Sequence, residues 1–293
     1  MPTPSTLMFH GPAEPAVPLL LDSPHSGRQF PADFDAIVSE HELRDGEDCF
    51  IDELYAPAAE RGVSLVAAQV PRTYIDPNRH AGDIDLALIE GGAWPREVVP
   101  SGKAAIGKAL IWRTLDDGRP IYGRRLTVAE VLGRIERCHA PYHRAVAERI
   151  EATHARFGVS YHINCHSMNA VAGVQGEGGA GTARADFVLG DRDGSTCEPG
   201  FTAFVHQVLS GMGYDVKVNK PYKGVELVRA YSNPAGRRHS LQVEVNKRLY
   251  VDQGTCEKTA GFDALQRNLQ TMVGAVVDYA LTQARAGRSS TNA

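Results

Sequence analysis

The run from Val159 to Met168, Val-Ser-Tyr-His-Ile-Asn-Cys-His-Ser-Met, constrains the fold more than any other stretch. It begins as a β-rich apolar segment and breaks off at His166 into polar residues, the pattern of a buried strand delivering a side chain to the rim of a sheet. In open α/β sheets, ligands bind beyond the carboxyl ends of the strands. The same grammar occurs earlier, where Val17-Pro-Leu-Leu-Leu-Asp22 runs into Ser23-Pro-His25-Ser-Gly27. A lone histidine in a strand is more often a packed core residue than a ligand. Two of them at strand ends make a metal or acid–base site the first hypothesis.

The rest of the chain supplies elements around these strands. Glu47–Arg61 places Ile51, Leu54, Tyr55 and Ala58 at helical spacing and stops at Gly62, a typical helix end. Val63–Val70 reads as a second buried strand. It feeds the loop Pro71–Arg79, where Pro77 holds Asp76 extended. Gly82–Gly123 is turn-rich without an assignable period. Thr127-Val-Ala-Glu130 is a capping box that opens a helical pattern reaching about Phe157, with a kink expected at Pro141. Short strands at Asp186–Leu189 and Tyr214–Val218 flank a helix at Phe201–Gly211. Asn219–Arg238 reads as a loop, Leu241–Asn246 as the last strand, and Glu257–Ala286 as a terminal helix. The glycine-rich stretch Gly173–Gly181 suggests a mobile loop beside the site. The pattern predicts one α/β domain over residues 1–293, with poorly ordered termini at 1–15 and 287–293.

Composition narrows the function classes. With 293 residues the chain is long enough for a sizeable core, and its net charge of −4 gives no reason to expect nucleic acid or an anionic membrane as partner. The apolar run Val17–Leu21 is broken by Pro18 and lacks a basic leader, so neither a secretory signal nor a membrane span is expected. Five cysteines without a C-x-x-C pair read as reduced thiols of a cytoplasmic protein.

Three constellations carry chemistry. A catalytic metal site typically takes three protein ligands. Beside His25 and His166 the third would be a carboxylate, Asp48 or Asp52, four apart on one expected helix face. Arg72, Asn78 and Arg79 share a loop after a strand, and guanidinium forks suit a carboxylate or a developing oxyanion. In Leu241-Gln-Val-Glu244-Val-Asn246, alternation turns Gln242, Glu244 and Asn246 to one face, making Glu244 a candidate general base.

Ser-Pro-His25-Ser-Gly, Asp48-x-x-x-Asp52-x-Leu-Tyr, Arg72-Thr-Tyr-x-Asp-x-Asn78-Arg79, Asn-Cys-His166-Ser-Met and Leu-Gln-Val-Glu244-Val-Asn occur in this order. Together the five motifs resemble the N-formylglutamate amidohydrolase family over about residues 20–252. The resemblance implies a mixed β-sheet sandwiched by helices, similar in fold to zinc carboxypeptidases and aspartoacylase. It also implies a zinc-dependent hydrolase with one Zn2+ per chain, cleaving N-formyl-L-glutamate to formate and glutamate late in histidine breakdown. On that resemblance His25, Asp48 and His166 are the metal ligands, and Arg72 polarises the scissile carbonyl. Asn78 and Arg79 hold the substrate α-carboxylate, and Glu244 is the base and acid. Two departures stand out. Carboxypeptidase-like enzymes take their carboxylate from His-x-x-Glu, whereas the third residue after His25 is Arg28. In the segment Gly224–Asn233, Arg229 remains as a grip on a side-chain carboxylate, and Ala230 follows where the family has histidine. The alternatives are a zinc amidohydrolase for another N-acyl amino acid or small peptide-like amide, and a non-catalytic carboxylate-binding module. A nucleophilic Cys165 beside His166 is disfavoured, because adjacent strand residues point to opposite faces.

Overall fold

A computed structural model gives the architecture; the structure describes residues 5–173 and 179–291, with side chains to 287. Among the described residues nine strands form: β1 (Leu7–His10), β2 (Leu19–Ser23), β3 (Ser64–Ala68), β4 (Ser160–Met168), β5 (Phe187–Gly190), β6 (Val216–Val218), β7 (Arg238–Asn246), β8 (Val251–Asp252) and β9 (Glu257–Lys258). The first seven make one mixed sheet in the order β1-β3-β2-β4-β7-β5-β6. Its centre, β3-β2-β4-β7, is parallel, while β1 runs antiparallel to β3 and β5 antiparallel to β7.

The helices are α1 (Glu40–Leu43), α2 (Ile51–Tyr55), α3 (Val128–Arg134), α4 (Ala140–Phe157), α5 (Pro199–Gly211), α6 (Glu226–Tyr231) and α7 (Phe262–Thr291). Side-chain alternation decides which of them covers which face. In β2, Leu19 and Leu21 join Ile51, Leu54, Phe201 and Leu269 in the larger core, under α2, α5 and α7. Leu20 points the other way, to Tyr142, Val146 and Ile150 of α4. The result is a single mixed sheet between helical layers, as expected. A further apolar cluster gathers Leu110, Trp112 and Ile121 of the turn-rich segment around Tyr74 and Ile75, so Gly82–Gly123 is a packed wall despite its lack of period.

Several boundaries differ from the sequence reading. Residues 7–10, expected in a poorly ordered lead-in, form the edge strand β1 on β3. The helix expected from Glu47 begins only at Ile51, because Phe50 adopts a left-handed φ of 59°, and it continues as a 3-10 turn over Ala56–Arg61. The segment 219–238, expected as loop, contains the helix α6. The terminal helix starts at Phe262 after the β8–β9 hairpin and runs to Thr291, through positions expected as tail. Most of the glycine-rich stretch expected to close over the site, residues 174–178, lies outside the described residues. The expected kink takes the form of a π-turn over Ile135–His139 between α3 and α4, with Pro141 in the first turn of α4. No helix among the described residues is long and apolar enough to cross a membrane.

Candidate active site

Register builds the site. Asp22 of β2 pairs with Asn164 of β4, and His166 of β4 pairs with Glu244 of β7. These side chains share the sheet face that looks toward α4, near the carboxyl ends of parallel strands. Cys165, one residue away, is fully buried in the opposite core, as strand alternation requires.

His25, in the turn after β2, and Asp48, in the loop before α2, are drawn together by a hydrogen bond from the Asp48 amide to the His25 carbonyl, 3.0 Å. His25 Nδ1 and His166 Nδ1 lie 3.3 and 2.9 Å from the same oxygen, Asp48 Oδ2. All three side chains are buried, with potential ligand atoms within 4.8 Å of one another. The outer nitrogens decide the tautomers. His25 Nε2–H donates to Asp76 Oδ1 at 2.7 Å, which leaves Nδ1 a lone pair, and that buried atom has no hydrogen-bond partner. His166 Nε2 sits 2.7 Å from Asn164 Oδ1, whose amide nitrogen is committed to Asp22. Asn78 Nδ2 is 3.1 Å from the same nitrogen; the shorter contact places the proton on Nε2. Two imidazole lone pairs and a carboxylate therefore converge on one point, a donor set that fits a divalent cation such as zinc. Asp76 and Asn164 supply the outer hydrogen bonds that fix such ligands. Asp52 is not part of the cluster: α2 starts beyond Asp48, so the two acids do not share a helix face, and Asp52 Oδ1 is buried without a partner.

The triad opens on a cleft of about 440 Å³ that Arg72, Asn78, Arg79, Gln242 and Glu244 also line. Burial, reinforced by the charge of Asp48, pushes the Glu244 carboxyl well above the usual carboxylate range, against Arg72, Lys247 and Arg184. Gln242 Nε2 donates to Glu244 Oε1 at 2.8 Å and holds the carboxyl in place. Burial alone would raise Asp48 as well, but the close approach of His166 and His25 holds it well below the usual range. Asp76 is held low in the same way, chiefly by Arg72 and then His25. Arg72 donates to Asp76 Oδ2 at 2.7 Å and lies over the Trp112 ring. Asn78 Oδ1 accepts from the Leu227 amide at 2.9 Å.

One expected binding residue is not brought here. Arg229 is absent from the cleft lining among the described residues; its guanidinium donates to both carboxylate oxygens of Glu226, at 2.9 and 2.8 Å, on the same α6 face. Sequence reasoning missed Asp76 and Asn164 as partners of the histidines. The available signal was an acid spaced between two arginines and an amide two residues before His166, the same-face spacing in a strand.

A buried acid facing a convergent His/Asp/His set across an arginine-rich cleft, at the carboxyl ends of a mixed sheet, is an arrangement suited to hydrolytic chemistry on an α/β scaffold. Residues 17–251 match the family model for N-formylglutamate amidohydrolase. The chain is 30% identical over 242 residues to a protein of Pseudomonas aeruginosa named N-formylglutamate deformylase, covering 81% of this chain and 83% of that one. A Pseudomonas putida protein of the same name is 28% identical over 251 residues, 84% and 85% of the two chains. The crystal structure of an N-formylglutamate amidohydrolase from Ralstonia eutropha superposes with a TM-score of 0.88 at 44% identity, over 94% of this chain and 98% of that one. A gene product of Agrobacterium tumefaciens with a TM-score of 0.59 at 15% identity, over 94% and 95% of the chains, shares the fold alone. The chain belongs to the N-formylglutamate amidohydrolase family and is an enzyme acting on an amide.

Proposed function

We propose that the protein hydrolyses N-formyl-L-glutamate to formate and L-glutamate, as a cytoplasmic step of histidine breakdown, with one Zn2+ held by His25, Asp48 and His166. The observation that carries this reading is the convergence of those three side chains with Arg72, Arg79 and a buried Glu244 on one cleft. When bound, zinc supplies Lewis acidity and makes water a usable nucleophile near neutral pH. Arg79 and Asn78 bind the α-carboxylate and orient the formyl group, an entropic as well as an electrostatic contribution. Arg72, at the cleft wall, stabilises the charge that develops on the carbonyl oxygen. Glu244 removes a proton from the attacking water as its oxygen bonds the formyl carbon. It then delivers that proton to the amide nitrogen as the C–N bond breaks. A carboxyl whose buried setting raises its pKa above the ordinary carboxylate range suits both duties.

The test is formate release from N-formyl-L-glutamate before chelation, after it, and after zinc is restored. Loss and recovery are expected; chelator-resistant turnover would remove the metal, and no turnover with zinc present would remove the substrate. A second reading, another N-acyl amino acid as substrate, is favoured by one observation: Arg229 is paired to Glu226 outside the cleft. A panel of N-formyl and N-acetyl amino acids separates the two.

A further inference from the structure

With Arg229 engaged elsewhere, the cleft needs another group if a second carboxylate is to be bound. The cations that line it are not equivalent. Arg72 is paired to Asp76, Arg79 lies 4.0 Å from both Asp76 and Asp83, Lys108 pairs with Asp116, and Lys223 pairs with Asp193. Lys103 is only half-buried. Two buried cations of the lining, Arg184 and Lys247, have no ion pair among the described residues. A charge withdrawn from water without a counter-ion is costly, so a buried, unpaired cation facing a cleft calls for an anion from outside.

Arg184 is the better built of the two for a carboxylate. Its backbone is anchored beside β7: its amide donates to Ala170 O at 2.9 Å, and Asn246 Nδ2 donates to its carbonyl at 3.3 Å. Its guanidinium lies over the Tyr222 ring, 5.0 Å from the centroid, and Tyr222 also lines the cleft. Stacking fixes the plane of the fork and leaves its edge for a bidentate partner. Lys247 follows Glu244 by three residues on the turn after β7 and offers a point charge.

Resting on the N-formyl amino acid reading above, we infer that Arg184, stacked on Tyr222, binds the side-chain carboxylate of the substrate and sets the preference for an acidic over a neutral N-formyl amino acid. This assigns to Arg184 the role the sequence suggests for Arg229.

The experiment compares kcat and KM for N-formyl-L-glutamate and N-formyl-L-glutamine in the zinc-loaded wild type, Arg184→Gln, Arg184→Lys, Arg229→Ala and Lys247→Met, with zinc content and thermal midpoint measured for each. Arg184→Gln is expected to lower the glutamate-to-glutamine ratio of kcat/KM by on the order of 100-fold, through KM, as loss of one buried charge contact does. Arg184→Lys should restore part of the ratio, and Arg229→Ala should leave it near the wild-type value. An unchanged ratio in Arg184→Gln, equal losses on both substrates with a shifted pH profile, or a ratio that collapses in Lys247→Met or Arg229→Ala instead would overturn the inference. Wild-type enzyme that releases formate from neither substrate would overturn the reading on which it rests, and the inference with it.

Discussion

Glu244 shows how much one side chain's duty depends on its neighbours. Alternation along β7 turns it to the same face as Gln242, and the register with β4 sets it beside His166. The same residue in a solvated strand would be an ordinary ionised acid. Glu244→Gln keeps the size and the hydrogen bond to Gln242, so zinc content and KM should stay near wild type while kcat falls by about 10²–10⁴-fold. Formate release under saturating substrate, with metal analysis of the same sample, checks this; near-normal turnover would remove Glu244 from the chemistry. The face on which Glu244 lies was legible in the sequence, because a period of two is local information. Residue spacing left Asp48 and Asp52 both open as the carboxylate beside the histidines, and only the family resemblance indicated Asp48; the left-handed backbone at Phe50 is what separates the two acids in the fold.

At the scale of elements, the start of α4 supports the loop that carries Asn78 and Arg79. His139 and His143 stack with centroids 4.0 Å apart; His139 Nε2–H donates to Arg79 O at 2.8 Å and His143 Nε2–H to Pro77 O at 2.7 Å. Tyr231 of α6 donates its hydroxyl proton to His143 Nδ1 at 2.7 Å, so two helices clamp one loop. Burial, with the neighbouring His143, depresses the pKa of His139 to about 3. Below its unfolded value of about 6.5 the unfolded chain binds this proton and the folded chain does not. The stability contributed by neutral His139 is therefore full above about 6.5 and declines as pH falls toward about 3. Denaturant titrations between pH 7 and pH 4 should show a shallower loss for His139→Gln than for wild type; parallel curves would exclude His139 as the group responsible. The second core cluster rests on another buried cation. Arg134, 1% exposed, lies 4.0 Å from the Tyr74 ring centroid and donates to Tyr122 Oη at 2.6 Å and Tyr74 O at 3.1 Å. Arg134→Ala leaves a cavity and orphans those acceptors, and should cost about 3 kcal/mol or more in a chemical denaturation midpoint series. A loss under about 1 kcal/mol would mean that the segment relaxes around the gap.

For the molecule as a whole, the donor set joins three segments that are distant in sequence: the turn after β2, the approach to α2, and β4. An ion bound only by the folded chain stabilises it by mass action, about 2.7 kcal/mol at a hundredfold excess over Kd. Removing zinc with a chelator should lower the wild-type Tm by several degrees, and His166→Ala should lose stoichiometric zinc and become insensitive to the chelator. Full zinc occupancy in His166→Ala would mean that the donor set is wrong.

Legible in the sequence were the α/β class, the strand that leads into His25 and the one that carries His166, the capping box at Thr127, and a set of motifs specific enough to indicate the family. Each of these rests on local periodicity, turn chemistry or short ordered patterns. Tertiary structure alone decided the sheet order and the edge strand β1. It also decided the pairing of Asp76 with His25, the exclusion of Asp52 from the triad, and the withdrawal of Arg229 to Glu226. Those outcomes depend on which segments meet across the fold, and on which of several competing charges lies within reach of each partner. Arg184, unmarked by any motif, became a candidate only when the fold buried it in the cleft with no ion pair among the described residues.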